Sequence, residues 1–217
     1  MGVFWRSQTN KTEIIVWKVE EAVVFFEQKL NLNVQKIKEL KQRFRYEQDH
    51  SHWLASRYVL RQLLGEEYTN IQRNEQGKWY LPNQKIYFSI SHSGNYVAVI
   101  KSPYLVGIDI QVYTQKLSRI AAKFIPLEQL MKIKETAYAQ ELYHIHWGIK
   151  EAIFKAYGEG KIDFRQHLLI DLLDLPQERF FNLETSLDKE EVQKIYQTQV
   201  KLEEEFVLAW VEEKESV

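Results

Sequence analysis

The sequence predicts an α+β protein, on three observations. Apolar residues recur at helical spacing in several stretches, most clearly at Ile149, Ala152, Ile153 and Ala156. Runs rich in β-branched and aromatic residues, such as Tyr96 to Ile100, are bounded by turn residues and read as strands. Each half of the chain runs helices and then strands, although no sequence repeat is visible.

In chain order, Glu13 to Trp17 is a short β-type run, and Glu20 to Leu30, with Val23, Val24, Phe25 and Phe26, predicts a buried helix. Lys36 to Phe44 and Asp49 to Leu64 continue as helices, the second stopped at Gly65. Asn74 to Lys78 predicts a turn, and Trp79 to Leu81 a strand interrupted at Pro82-Asn83. Ile86 to Ile90, Tyr96 to Ile100 and Leu105 to Gln111 then read as a three-stranded antiparallel meander. Alternation in its last strand puts Ile108 and Ile110 on a core face, with Gly107, Asp109 and Gln111 on the other. An acid thus stands beside a residue with no side chain, where something can approach closely.

Leu117 to Phe124 and Leu127 to Tyr138 read as helices separated by Pro126, followed by a helix at Trp147 that ends at Gly158. Leu168 to Leu173, Arg179 to Glu184, Ile195 to Lys201 and Phe206 to Val211 read as strands.

At 217 residues and 45% hydrophobic composition the chain can bury a real core. No apolar run approaches the roughly 20 residues that cross a bilayer, and the first residues lack the apolar core of a signal peptide. With no cysteine there is no disulfide, thiolate metal site or cysteine nucleophile, which suits a cytoplasmic enzyme. A net charge of -1 gives no global attraction to nucleic acid, and no membrane partner is expected. Between Lys36 and Arg61 seven basic side chains face three acidic ones, which fits either a solvated helical face or a binding surface.

On the helix at Trp147 a second face carries Trp147, Glu151 and Lys155 one turn apart, with Lys150 beside them. Alone, such a Glu-to-Lys pair is commonly a surface contact worth about 0.2 to 0.5 kcal/mol.

Taken together, Phe88-Ser89-Ile90-Ser91-His92-Ser93-Gly94, then Val106-Gly107-Ile108-Asp109-Ile110, then Trp147-x-x-Lys150-Glu151-x-x-x-Lys155-x-x-Gly158 resemble the successive signatures of the Sfp-type (group II) 4'-phosphopantetheinyl transferase superfamily. The likeness runs from about Arg43 to Phe164, with flanks similar only in layout. It implies a pseudo-dimer of two similar α+β halves, residues 1–104 and 105–217, with coenzyme A in the cleft between them. The implied reaction moves the 4'-phosphopantetheine arm of coenzyme A to a serine of an apo acyl or peptidyl carrier protein, releasing adenosine 3',5'-bisphosphate. The carrier could serve fatty-acid, polyketide or peptide synthesis.

The resemblance also implies roles for single residues. Asp109 and Glu151 would hold Mg²⁺, with Gln111 standing where most bacterial members carry a glutamate. Glu151 would accept the serine proton, directly or through a water, and Lys155 would stabilise or protonate the leaving phosphate. Coenzyme A would meet Arg43, Arg73, Lys78, Ser91, His92, Lys150 and Lys155, the second of two departures being Gly77-Lys78-Trp79 in place of Gly-Lys-Pro. His92 reads equally as a turn histidine packed beside Tyr96, and each arginine as a surface charge. A carrier would dock on Arg119, Lys123, Phe124, Met131, Lys132 and Lys134, which a plain amphipathic helix pair explains as well. The expected protein is a monomer. A catalytically silent module that binds coenzyme A or a carrier is the other reading, and the presence of Asp109, Glu151 and Lys155 together favours the enzyme.

Overall fold

The computed structural model describes residues 2–9, 11–75, 78–82 and 85–214. Two strands, β1 (Val3–Gln8) and β2 (Glu13–Lys18), are followed by helices α1 (Val23–Lys29), α2 (Val34–Arg43) and α3 (Glu47–Leu64). A 3₁₀ turn over Gly65–Asn70 leads to the short pair β3 (Gln72–Arg73) and β4 (Trp79–Tyr80), then to β5 (Tyr87–Ser93) and β6 (Tyr96–Ser102). Strand β7 (Val106–Val112) opens the second half, followed by α4 (Gln115–Ile120), a 3₁₀ turn over Ala121–Lys123, α5 (Leu127–Lys134) and α6 (Ala139–Tyr157). Strands β8 (Leu168–Leu169), β9 (Phe180–Lys189), β10 (Val192–Leu202) and β11 (Phe206–Glu213) complete the chain.

The strands form two antiparallel sheets, ordered β1-β2-β6-β5 and β7-β11-β10-β9-β8. The expected meander is therefore corrected: β5 and β6 pair as a hairpin, but β7 leaves that sheet and pairs with β11.

Side-chain alternation in the central strands explains the layering. In β2, Ile15 and Trp17 pack with Leu54, Val59 and Leu60 of α3, whereas Ile14 and Val16 face Ile108, Ile110, Leu208 and Trp210 of the other sheet. In β11, Val207, Ala209 and Val211 turn instead toward Ile149, Ala152 and Ile153 of α6. The order is helix, sheet, sheet, helix, and strands buried on both faces read as continuous apolar runs such as Ile14-Ile15-Val16-Trp17. The period-two alternation expected for β7 holds, yet both of its faces are interior: Ile108 and Ile110 meet the first sheet, and Gly107 and Asp109 lie under α6.

Helix α6 begins eight residues before Trp147, because the polar stretch that hides its start contains buried His144 and His146. It ends as expected at Gly158, whose φ of +75° is the left-handed conformation that favours glycine. Leu127 to Tyr138 is not one helix: α5 stops at Lys134, and a turn precedes α6. In α1 the buried residues include Phe26, but Val24 is 54% exposed, against the expectation of a buried run. Strand β1, which carries Arg6 and Gln8, was not expected as a strand; it lies at a sheet edge and has a mostly exposed pattern. The turn predicted over 74–78 includes residues 76 and 77, which lie outside the described residues, as does Asn83. The flanks of that turn are bonded by Asn74 N–H to the Lys78 carbonyl at 2.9 Å.

Candidate active site

Strands β5 and β7 are edge strands of different sheets, and they meet through three serines rather than a backbone ladder. Ser89 Oγ accepts from Ile108 N–H at 3.2 Å, Ser91 Oγ donates to Asp109 Oδ1 at 2.7 Å, and Ser93 Oγ accepts from Val112 N–H at 3.1 Å. Serines two apart along a strand share one side of it, so Ser-x-Ser-x-Ser suits this contact. The polar edge of β7 is satisfied without inviting another strand to pair.

Asp109 stands at the centre of this contact and is only 5% exposed. Its Oδ1 accepts from Ser91 and from Lys155 Nζ, both at 2.7 Å, and Lys155 also donates to the Ile108 carbonyl at 3.0 Å. Its Oδ2 is buried with no hydrogen-bond partner and looks toward Gly148, where an added Cβ would stand 3.9 Å from it. Glu151, one turn before Lys155 on α6, is half-buried. Burial pushes its carboxyl above the ordinary range; the Asp109 charge adds to that rise, and Lys155 opposes it. The sequence-predicted Asp109, Glu151 and Lys155 are thus brought together.

Helix α6 reaches Asp109 because Gly107 lets it approach. A Cβ on Gly107 would sit 1.8 Å from the Ala152 carbonyl oxygen, so the close approach expected at this glycine is made by the helix itself.

A cavity of about 440 Å³ lies between β5 and the end of α6, lined among others by Lys78, Trp79, Phe88, Phe154 and Lys155. Lys78 donates to the Ala156 carbonyl at 2.9 Å, capping the negative end of α6. Its stem fills the space beside Gly158, where a Cβ would meet Lys78 Cδ at 2.7 Å. His92, exposed at the other end of β5, stacks on His52 with ring centres 4.7 Å apart. His92 lies below the ordinary imidazole range, through desolvation first and then the positive field of His52 and Lys155. His52, which the sequence did not single out, is buried with Nε2 2.6 Å from the Gly94 carbonyl.

Arginines gather by the same cavity. Arg57, one of the seven basic residues between Lys36 and Arg61 but not among those expected to meet coenzyme A, lies 4.8 Å from the Trp53 ring centre and 5.3 Å from that of Trp79, and Arg73 lies 5.7 Å from Trp79. Burial lowers the Arg57 pKa, and Arg43 and Arg73 are near enough to lower it further. Trp53 and Arg57, four apart on one helix face, were the available signal.

Three expectations are corrected. Lys150 does not reach the cavity: it is 1% exposed and donates to the carbonyls of Phe164 and Leu168, each at 2.6 Å. Ser91 is 6% exposed, and its hydroxyl hydrogen is committed to Asp109. Phe124 is not a docking residue; it is 1% exposed and packs edge-on against Trp147 at 5.1 Å. Arg119, Lys123, Met131, Lys132 and Lys134 are exposed, with Lys132 paired to Glu128 at 2.8 Å. Gln111 turns its amide nitrogen to the Val112 carbonyl at 3.2 Å.

Among the described residues no group of three or more His, Cys, Asp or Glu side chains could hold a metal ion. Two carboxylates with one oxygen lacking a partner nevertheless suit a hard divalent cation that shares its remaining positions with substrate phosphate and water. No helix among the described residues is long and apolar enough to cross a membrane.

A buried acid on a strand, a carboxylate and lysine on the helix above it and a neighbouring cavity thus form one site. Residues 105–211 match the family model of the 4'-phosphopantetheinyl transferase superfamily. A 102-residue stretch is 31% identical to a Haemophilus influenzae protein provisionally named a 4'-phosphopantetheinyl transferase, covering 42% of each chain. Over 111 residues the chain is 32% identical to the 4'-phosphopantetheinyl transferase gsp of Aneurinibacillus migulanus, covering 49% of this chain and 46% of that protein. The matches thus span less than half the length of these curated relatives.

Proposed function

We propose that the protein transfers the 4'-phosphopantetheine arm of coenzyme A to a serine hydroxyl of an apo carrier protein. The observation that carries this reading is the convergence of Asp109, Glu151 and Lys155 beside a cavity walled by both halves of the chain. The halves, 1–104 and 105–217, act as a pseudo-dimer with coenzyme A in the cleft between them, at the cavity beside β5 and the end of α6. Arg43, Arg57, Arg73 and Lys78 receive the 3'-phosphate end, and His92 faces the phosphates.

The serine oxygen attacks the β-phosphorus of the diphosphate. A new P–O bond forms as the bond to the adenosine side breaks, and adenosine 3',5'-bisphosphate leaves. Asp109 and Glu151 would hold Mg²⁺, with Gln111 nearby, and the cation would supply charge neutralisation at the diphosphate. Glu151, whose carboxyl burial pushes above its ordinary range, takes the serine proton directly or through a water. Lys155 moves from Asp109 toward the leaving phosphate, whose charge it offsets. The exposed Arg119, Lys123 and Lys134 with Leu127 and Met131 offer a basic, partly apolar face to an acidic carrier. The enzyme works as a cytoplasmic monomer.

Incubation with coenzyme A, Mg²⁺ and several apo acyl or peptidyl carriers, read by intact mass, tests the reading. A phosphopantetheine adduct that chelator abolishes is the expected result. Tight coenzyme A binding with no adduct on any carrier would instead support a silent binding module.

A further inference from the structure

We infer that Ser91 is a positioning residue for Asp109 rather than a contact for coenzyme A phosphate, and that it sets the free carboxylate oxygen toward the cation. The inference rests on the transferase reading. A serine hydroxyl has one hydrogen, and Ser91 gives it to Asp109 Oδ1 at 2.7 Å. An ionised phosphate oxygen can only accept, so Ser91 cannot donate to phosphate and hold Asp109 at once.

Geometry favours the hold. Ser91 lies 6% exposed between two sheets, so little of it faces the cleft, whereas the neighbouring His92 is exposed. Ser91 and Lys155 both donate to Oδ1, and Oδ2 alone is left without a partner. The Ser91 bond, which remains when Lys155 turns to the leaving phosphate, holds Oδ1 and so restricts the rotation of the carboxylate and the direction in which the other oxygen can bind. Because Ser91 belongs to the first sheet and Asp109 to the second, this bond also ties a carboxylate of the catalytic half to the position of the other half.

The test separates cation from coenzyme. Mn²⁺ affinity is read by electron paramagnetic resonance of the free ion, without carrier, and coenzyme A affinity by calorimetry in chelator. Ser91→Ala is expected to weaken Mn²⁺ binding about tenfold or more and to leave coenzyme A affinity within about twofold. Ser91→Thr restores Mn²⁺ binding, and Ser93→Ala, which removes a neighbouring inter-sheet bond, leaves it at the wild-type level. Should Ser91→Ala fail to fold, Ser91→Cys, which keeps the volume and weakens the donor, is read in the same way. Loss of coenzyme A affinity in chelator with Mn²⁺ affinity unchanged would overturn the inference, as would no change in either. Wild-type protein that binds neither Mn²⁺ nor coenzyme A would sink the transferase reading and this inference together, a result distinct from both.

Discussion

Lys155 Nζ lies 2.7 Å from Asp109 Oδ1, so a lysine of α6 and an acid of β7 neutralise each other across the helix–sheet contact. In the proposed mechanism this ammonium would compete with a cation for the acid and would offset the charge of the leaving phosphate. Lys155→Met should therefore have effects of opposite sign: tighter Mn²⁺ binding in calorimetry, but transfer slowed by about 10²–10³-fold in the mass assay. Weaker Mn²⁺ binding in this variant would mean that the lysine supports the cation site instead.

Gly107→Ala should be severe although no charge is touched. Its Cβ would fall 1.8 Å from a backbone oxygen of α6, which cannot swing aside as a side chain would. Unfolding in urea should show a loss of about 3 kcal/mol. A variant of wild-type stability would contradict the close helix–strand approach.

Buried His146 predicts acid lability. Burial holds its pKa at about 4, against the carbonyl of Leu172 that favours the charged ring, and Lys150 lowers it further. The unfolded chain takes up this proton near 6.5 while the folded one stays neutral, so the stability is full above 6.5 and is lost as pH falls toward 4. The loss from this residue is on the order of 3 kcal/mol. His146→Leu should flatten that slope in denaturant titrations at several pH values; an unchanged slope would place the acid sensitivity elsewhere.

Lys150 should matter to the segment after α6 more than to coenzyme A. Its ammonium, lowered by burial to about 7, holds the Phe164 and Leu168 carbonyls. Lys150→Met leaves both buried acceptors unpaired, a cost of about 1–3 kcal/mol. Hydrogen exchange should quicken around residues 164–168, with coenzyme A affinity reduced little. A large loss of affinity with unchanged exchange would restore Lys150 to the phosphate site.

What the sequence could reveal follows from where each signal resides. The stop at Gly158, the buried stripe of Ile149, Ala152, Ile153 and Ala156, and the opposed faces of β7 are local patterns, and all are present. The partners of Lys150 are backbone carbonyls, which carry no residue identity and so leave no mark in a sequence. The closeness of β7 to the β5–β6 hairpin in the chain suggests pairing with it, whereas its ladder partner, β11, lies about a hundred residues away. The serines of β5 were present in the motif, but their role as a bridge appears only once β7 lies beside them. His52 sits on α3 among residues of an ordinary amphipathic helix, and only its tertiary contacts with His92 and the Gly94 carbonyl mark it out.

The proposed transfer depends on the acid pair. Glu151→Ala, folded and supplied with coenzyme A, saturating Mg²⁺ and an apo carrier that the wild-type protein modifies, should give no phosphopantetheine mass increment on the carrier. An adduct in full wild-type yield from that variant would contradict it.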